Sequence, residues 1–154
     1  MPAILSSFGT SRLLRALLTI IPCGVLAAAV LAAEDVPFLL VGSAALWLRG
    51  EITSVADADA VIEPGEHNAR CLREALAGIA VGPVPSVSRL VGGSVVSVMT
   101  AYGKVDCMLE RGRQDWDRLR HGAGFLSIVG VPVLVAASAD AWDLRRRYKE
   151  CEDE

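Results

Sequence analysis

Three aspartates are the residues of this sequence whose type and spacing could do chemistry. Asp57 and Asp59 are separated by a single alanine, and Asp106 interrupts the otherwise apolar run over residues 105–109. Residues two apart on a strand point to the same face, so the first two carboxylates would lie side by side. Hard divalent cations prefer oxygen ligands. The three carboxylates therefore predict a site for Mg²⁺ or Mn²⁺.

Gly42 and Ser43 form a second pair with chemical potential. They follow an apolar run over residues 36–41 and precede a short apolar segment that ends near Gly50. Glycine lets the backbone approach a phosphate closely, and the free N–H groups at the start of a helix attract anions. A phosphate-binding turn is one interpretation, and an ordinary helix start capped by Ser43 is the other.

Each aspartate also has a purely structural interpretation. Aspartate is enriched in turns, so Asp57 and Asp59 could belong to a solvated loop. Asp106 could lie on an edge strand with its side chain facing water, because a carboxylate within an apolar run is costly when it is buried and unpaired.

The elements that would position these residues can be predicted from hydrophobic periodicity and from Gly and Pro punctuation. The apolar run before Gly42 predicts a central strand, and two β-branched runs around residues 101–103 predict a hairpin. The predicted strands cover residues 37–42, 58–62, 94–100, 104–109, 125–128 and 131–135. The predicted helices cover residues 11–21, 24–34, 66–79 and 114–120, together with a short helix that Ser43 caps and that runs to residue 48, and a last helix that begins after Ser138 and ends near residue 149.

This order predicts an α+β fold, with a small mixed sheet and helices packed mainly on one side. We expect one domain over residues 1–154, with a helical N-terminal cap over 1–35 and a core over 36–149. The uncharged run over residues 16–33 could alternatively be a signal peptide or a membrane span. Pro22 breaks that run, which favours two ordinary helices and makes membrane contact an unfavoured alternative.

Charge and cysteine content limit the functional classes. The net charge is −3, so no overall basic surface for nucleic acid is expected. The four cysteines are scattered without metal or redox spacing, which is typical of free thiols in a reducing compartment, and we expect a cytoplasmic protein.

The order of these motifs resembles the nucleotidyltransferase superfamily with the polymerase-beta-like fold. It is similar in particular to small stand-alone bacterial enzymes, including the MenT- and AbiE-type toxins. The resemblance rests on Gly-Ser followed by an apolar helix, then Asp-x-Asp, then Gly-Lys-Val-Asp, and finally a strand and a helix over residues 131–149.

The resemblance implies a role for each of these residues. Asp57, Asp59 and Asp106 would bind Mg²⁺ or Mn²⁺ and carry catalysis, and Asp106 would help to deprotonate the acceptor hydroxyl. Triphosphate binding would fall to a second set of residues, namely Gly42, Ser43, Arg49, Lys104, Arg145 and Arg146. The arginines could equally be solvated residues that match the dipole at a helix C-terminus.

The implied activity is transfer of an NMP from an NTP to a hydroxyl. The implied partners are an NTP, a tRNA whose 3′ end is the acceptor, and a cognate antitoxin protein. Two alternatives remain open at this stage: a small-molecule (antibiotic-type) nucleotidyltransferase, and a degenerate, non-catalytic binding module. The second alternative is suggested by Thr53 and Ala58, which stand where the family usually has Arg and a large apolar residue.

Overall fold

The computed structural model describes residues 21–22, 24–55, 57–92, 95–108 and 113–152. The predicted helix over residues 11–21 falls almost entirely outside these ranges. Within them, no helix is both long enough and apolar enough to cross a membrane.

Six strands form one mixed sheet in the order β3-β4-β2-β1-β6-β5, which confirms the predicted α+β class. The strands are β1 (Phe38–Val41), β2 (Ala58–Ile62), β3 (Val96–Thr100), β4 (Gly103–Met108), β5 (Gly124–Ile128) and β6 (Val131–Val135). The central pairs are β1 with β2, antiparallel, and β2 with β4, parallel. Strand β1 is also parallel to β6, and the sheet ends in two antiparallel hairpins, β3-β4 and β5-β6.

In the described ranges, six helices pack around this sheet: α1 (Val25–Ala33), α2 (Gly42–Leu48), α3 (Glu66–Ala77), α4 (Val87–Val91), α5 (Arg113–Gly122) and α6 (Ser138–Glu152). Helix α1 contacts β2, β4 and β6, while α2 contacts β1, β2 and α6. Every residue of β1 is buried, as expected for a central strand. The residues of α1 from Val25 to Leu31 are all buried, and all of them except Val30 belong to the same hydrophobic core.

Helix α2 ends just before Gly50, near which the apolar segment of the sequence was expected to end. This glycine has φ 74°, and its N–H donates to Trp47 O while the Glu51 N–H donates to Leu46 O. That pair of bonds is a Schellman motif, which satisfies the last carbonyls of the helix and stops it.

Three predicted details were wrong. Helix α2 begins at Gly42 rather than after it, and no side chain caps its start, so the prediction that Ser43 is the N-cap was wrong.

The turn between β3 and β4 has two residues rather than three, since Thr100 pairs with Gly103. The Thr100 hydroxyl fixes this turn by donating to Gly103 O and accepting from the Tyr102 N–H. Helix α4 was not predicted, because its five residues are too short to show a helical period.

Gly24 fixes the start of α1 against the sheet. Its φ is 85°, its N–H donates to Tyr102 O, and a Cβ at this position would lie 2.3 Å from Lys104 O and 2.9 Å from Ala58 N. Only glycine fits such a left-handed and crowded position.

We expect Gly24→Ala to lower the free energy of unfolding by about 3 kcal/mol, from backbone strain and overpacking together. Chemical denaturation measures this loss. Gly82→Ala is the matched control, since no atom lies within 4 Å of its added Cβ, and it should change stability by less than about 0.5 kcal/mol. Equal stabilities of the two variants would show that Gly24 is not tightly packed.

Candidate active site

The three predicted aspartates meet where strands β1, β2 and β4 run side by side. In the antiparallel pair Val41 lies opposite Asp59, and in the parallel pair Asp59 lies beside Asp106. Because β2 and β4 are direct neighbours in exact register, residues 57 and 59 on one strand face residues 104 and 106 on the other. The sheet therefore brings the Asp-x-Asp motif and the distant Asp106 together.

The resulting cluster contains three carboxylates and one ammonium group. Lys104 Nζ lies 3.2 Å from Asp57 Oδ2 and 3.7 Å from Asp106 Oδ1. The side chains of Asp57 and Lys104 are about one-third exposed, whereas Asp106 is only 15% exposed. The cluster thus has an open side at Asp57 and Lys104 and a covered side at Asp59 and Asp106.

Asp59 is the most perturbed carboxyl group of the cluster. Burial raises its pKa to about 7, and the negative charges of Asp106 and Asp57 act in the same direction. The Lys104 ammonium opposes this rise, and a hydrogen bond between Asp59 and Asp106 adds to it. Like charges held close together cannot all remain ionised without a compensating cation. The cluster therefore has an excess of negative charge that a single lysine only partly balances.

Lys104 is the cation that responds to this charge. Its pKa is raised, first by the hydrogen bond to Asp57 and then by the charge of Asp106. Cys107, the next residue after Asp106, is a buried thiol whose pKa is raised to about 12 by burial and by the two neighbouring aspartates. A thiol with such a pKa stays protonated and is not a nucleophile at neutral pH.

Asp106 does not lie on an edge strand, which was the purely structural interpretation of this residue. Strand β4 lies between β3 and β2, and the edge on that side of the sheet is β3. The Ser97 hydroxyl, directly opposite on β3, donates a short hydrogen bond to Asp106 Oδ1. Sequence reasoning missed Ser97 because a three-residue turn would have placed Val98 opposite Asp106. Thr100 was the residue that could have indicated the shorter turn, because its hydroxyl bonds to the backbone of Tyr102 and Gly103.

Gly42 brings the start of α2 against the cluster. Its φ is 63°, and a Cβ at this position would lie 2.6 Å from Asp59 Oδ2. The predicted close approach of backbone is therefore present, but here the neighbour is a carboxylate. Ser43 is the next residue of the helix and is partly exposed.

The three predicted arginines have partners elsewhere in this structure. Arg49 Nε donates to Ala136 O at 2.7 Å and Nη2 donates to Val135 O at 3.2 Å, which joins the end of α2 to the end of β6. The Arg145 guanidinium lies 5.5 Å from the ring centre of Trp142. Arg146 Nη2 lies 3.9 Å from Asp143 Oδ1 on the same helix.

Glu51 anchors the loop that leads from α2 to Asp57. Its carboxylate accepts from Ser138 Oγ, with 2.6 Å to each oxygen, and from Trp142 Nε1 at 3.2 Å. These bonds hold the pKa of Glu51 below its usual range. Sequence reasoning missed this contact, since nothing local indicates that Glu51 meets a helix 87 residues later.

The three aspartates provide the oxygen donors that a divalent cation prefers, but they do not form a complete coordination site. Among the residues that the structure describes, no three His, Cys, Asp or Glu side chains form a ready metal-binding group. The carboxylates of Asp57, Asp59 and Asp106 are nevertheless hard oxygen donors with uncompensated charge, which is the donor set that Mg²⁺ and Mn²⁺ take. Asp59 and Asp106 are hydrogen-bonded to each other, and Asp57 is held by Lys104.

Comparison with known proteins gives a likeness of fold. No protein-family model matches the sequence, and no curated protein is significantly similar to it. One solved structure, of a candidate nucleotidyltransferase from Thermotoga maritima, superposes with a TM-score of 0.56 at 16% sequence identity. The likeness covers 92% of this chain and 86% of that one.

The fold and the cluster together define the class of this protein. It is an α+β protein with a nucleotidyltransferase-like fold, in which neighbouring parallel strands β2 and β4 carry paired aspartates. At this level of identity the likeness concerns the fold, and the chemistry must be argued from the site itself.

Proposed function

We propose that this protein is a metal-dependent nucleotidyltransferase that moves an NMP from an NTP to a hydroxyl group. The observation that carries the proposal is the pairing of Asp59 with Asp106 on neighbouring strands, with Asp57 beside them and Gly42 packed against Asp59. A structural role alone does not account for three clustered carboxylates balanced by one lysine, since such charge destabilises the folded state.

In this proposal the three aspartates would hold Mg²⁺ or Mn²⁺. A bound divalent cation supplies charge stabilisation for the triphosphate and for the entering and leaving oxygens. The oxygen of the acceptor attacks the α-phosphorus, the bond to the β-phosphate breaks, and pyrophosphate leaves. Asp106 accepts the proton of the hydroxyl, and the Ser97 hydrogen bond fixes the orientation of its carboxylate.

The rest of the site would position the nucleotide. Gly42 packs against Asp59, and Gly42 and Ser43 would contact the phosphates through the backbone at the start of α2. Lys104 is the cation that contacts the cluster among the residues that the structure describes. Arg49, Arg145 and Arg146 would reach a phosphate only by giving up the contacts described above, so we assign them smaller contributions than Lys104.

For the acceptor, we propose the 3′ end of a tRNA, with a cognate antitoxin protein as the partner that restrains the enzyme. This part of the proposal is supported by the resemblance of the motif order to toxin nucleotidyltransferases. A net charge of −3 gives no overall electrostatic attraction for RNA, so RNA contacts would have to be local to the site. A small-molecule hydroxyl is the alternative acceptor that this charge favours.

The test is transfer of label from each of the four α-labelled NTPs to total tRNA, with and without Mg²⁺. We expect transfer that requires the cation, is abolished by EDTA and is restored by Mg²⁺ or Mn²⁺. Calorimetric titration with each NTP separates the enzyme from the binding module. Binding without transfer to tRNA or to small-molecule hydroxyls would favour the module, and no binding of any NTP would contradict both.

A further inference from the structure

Lys104 occupies the space between two of the three carboxylates. Its ammonium group contacts Asp57 Oδ2 at 3.2 Å and Asp106 Oδ1 at 3.7 Å. The second of these oxygens also accepts the hydrogen bond from Ser97. Two oxygens that a cation would need as ligands are therefore already in contact with a positive charge.

The position of this lysine follows from the strand register. Lys104 and Asp106 are two apart on β4 and so share one face of the sheet. Ala58 pairs with Val105 on the neighbouring parallel strand, which places Asp57 beside Lys104 just as Asp59 is beside Asp106. The backbone itself thus directs the lysine towards the two carboxylates.

A divalent cation bound to these oxygens and the Lys104 ammonium group would repel each other, because both are positive charges held a few ångströms apart. The ammonium group carries one charge and neutralises the cluster incompletely, whereas Mg²⁺ or Mn²⁺ carries two. A lysine side chain is a flexible four-carbon stem with a strongly hydrated end, and this one is 35% exposed. It can therefore turn out of the cluster towards solvent without disturbing the strand.

We propose that Lys104 is an internal counter-ion that competes with the divalent cation for Asp57 and Asp106 and leaves the cluster when the cation binds. This inference rests on the proposed function, since it assumes that the cluster takes a divalent cation. Its consequence is that the protein without metal is stabilised by its own lysine at the cost of metal affinity. Removal of Lys104 therefore tightens metal binding, whereas removal of a lysine that assists the metal would weaken it.

The experiment measures the dissociation constant of Mn²⁺ alone, from the free-ion electron paramagnetic resonance signal, in wild-type protein and in Lys104→Met. We expect the variant to bind Mn²⁺ about tenfold more tightly, because two partly exposed ion pairs no longer have to be broken. Thermal unfolding gives a second measurement. Without metal the variant should melt below the wild type, and Mn²⁺ should raise its melting temperature by the larger amount.

Matched variants separate this role from a structural one. Lys104→Gln provides a second neutral side chain, and Lys104→Arg retains the charge and should bind Mn²⁺ with nearly wild-type affinity. Arg70→Met removes one positive charge from an exposed ion pair on α3 and should leave Mn²⁺ binding unchanged.

The outcomes distinguish this inference from the proposed function. If the wild type binds Mn²⁺ at the cluster and both neutral variants bind it equally or more weakly, the counter-ion role is overturned and the metal site stands. If neither the wild type nor any variant binds Mn²⁺, the metal site and the counter-ion role are both overturned.

Discussion

Asp106→Asn is expected to reduce nucleotide transfer by about a thousandfold or more. The substitution keeps the shape of the side chain and an oxygen that can accept from Ser97, but it removes the negative charge. Loss of that charge weakens the cation site and also removes the group that accepts the proton. A bound metal contributes several kcal/mol of transition-state stabilisation, and each 1.36 kcal/mol is a factor of ten in rate.

The rate constant kcat of the transfer reaction, measured at saturating Mg²⁺, is the quantity to compare. Ser97→Ala is the control, because it removes only the hydrogen bond that orients Asp106 and should cost less than about tenfold. Circular dichroism and the melting temperature show whether each variant is folded. An Asp106→Asn variant that is folded and transfers nucleotide at the wild-type rate would exclude this cluster as the active site.

The second large effect that we expect is a dependence of the free energy of unfolding on pH, caused by the protonation of Asp59. Its pKa is raised from 3.8 to about 7 in the folded protein, so the folded state keeps a proton that the unfolded state loses. Between about pH 4 and pH 7 the folded state binds more protons than the unfolded state. The free energy of unfolding therefore decreases as the pH rises through this window.

Asp59→Asn cannot lose a proton and should escape this decrease. In metal-free buffer we expect the variant to match the wild type near pH 4. Above pH 7 it should be more stable by up to about 4 kcal/mol, which is the free energy that corresponds to the difference between the two pKa values. Urea denaturation at several pH values measures the difference.

Asp117→Asn, on the exposed face of α5, controls for the loss of one carboxylate and should follow the wild-type pH profile. Parallel curves for the wild type and Asp59→Asn between pH 5 and pH 8 would show that this carboxyl group does not hold the extra proton.

Much of the fold could be predicted from the sequence, because strands and helices are determined mainly by local periodicity. The apolar run of β1, the Gly50 stop of α2 and the Asp-x-Asp strand were all legible from neighbouring residues alone. The starts and ends of elements were less legible. The start of α2 depends on Gly42, which has a φ of 63° and packs against Asp59 from another strand.

The site could be predicted in its residues but not in its contacts. The three aspartates were predicted to form a site from their residue type and spacing. The parallel register of β2 and β4 is what brings them together. The ion pair between Lys104 and Asp57 joins residues 47 positions apart and depends on that register to within one residue. The bonds of Arg49 to Val135 and Ala136 depend on which strand lies beside β1, which periodicity does not determine.

The position of β1 in the sheet also has a consequence for how the chain can fold while it is being synthesised on the ribosome. Strand β1 is made first but lies between β2 and β6, and β6 is the last strand to be made. The Arg49 and Glu51 contacts likewise wait for residues 135–142. Pairings between distant segments form late in folding, because the intervening chain must first be closed into a loop. A nascent chain that ends between about residues 107 and 130 therefore carries all three aspartates but lacks strand β6, which pairs with β1, and helix α6, which packs against α2.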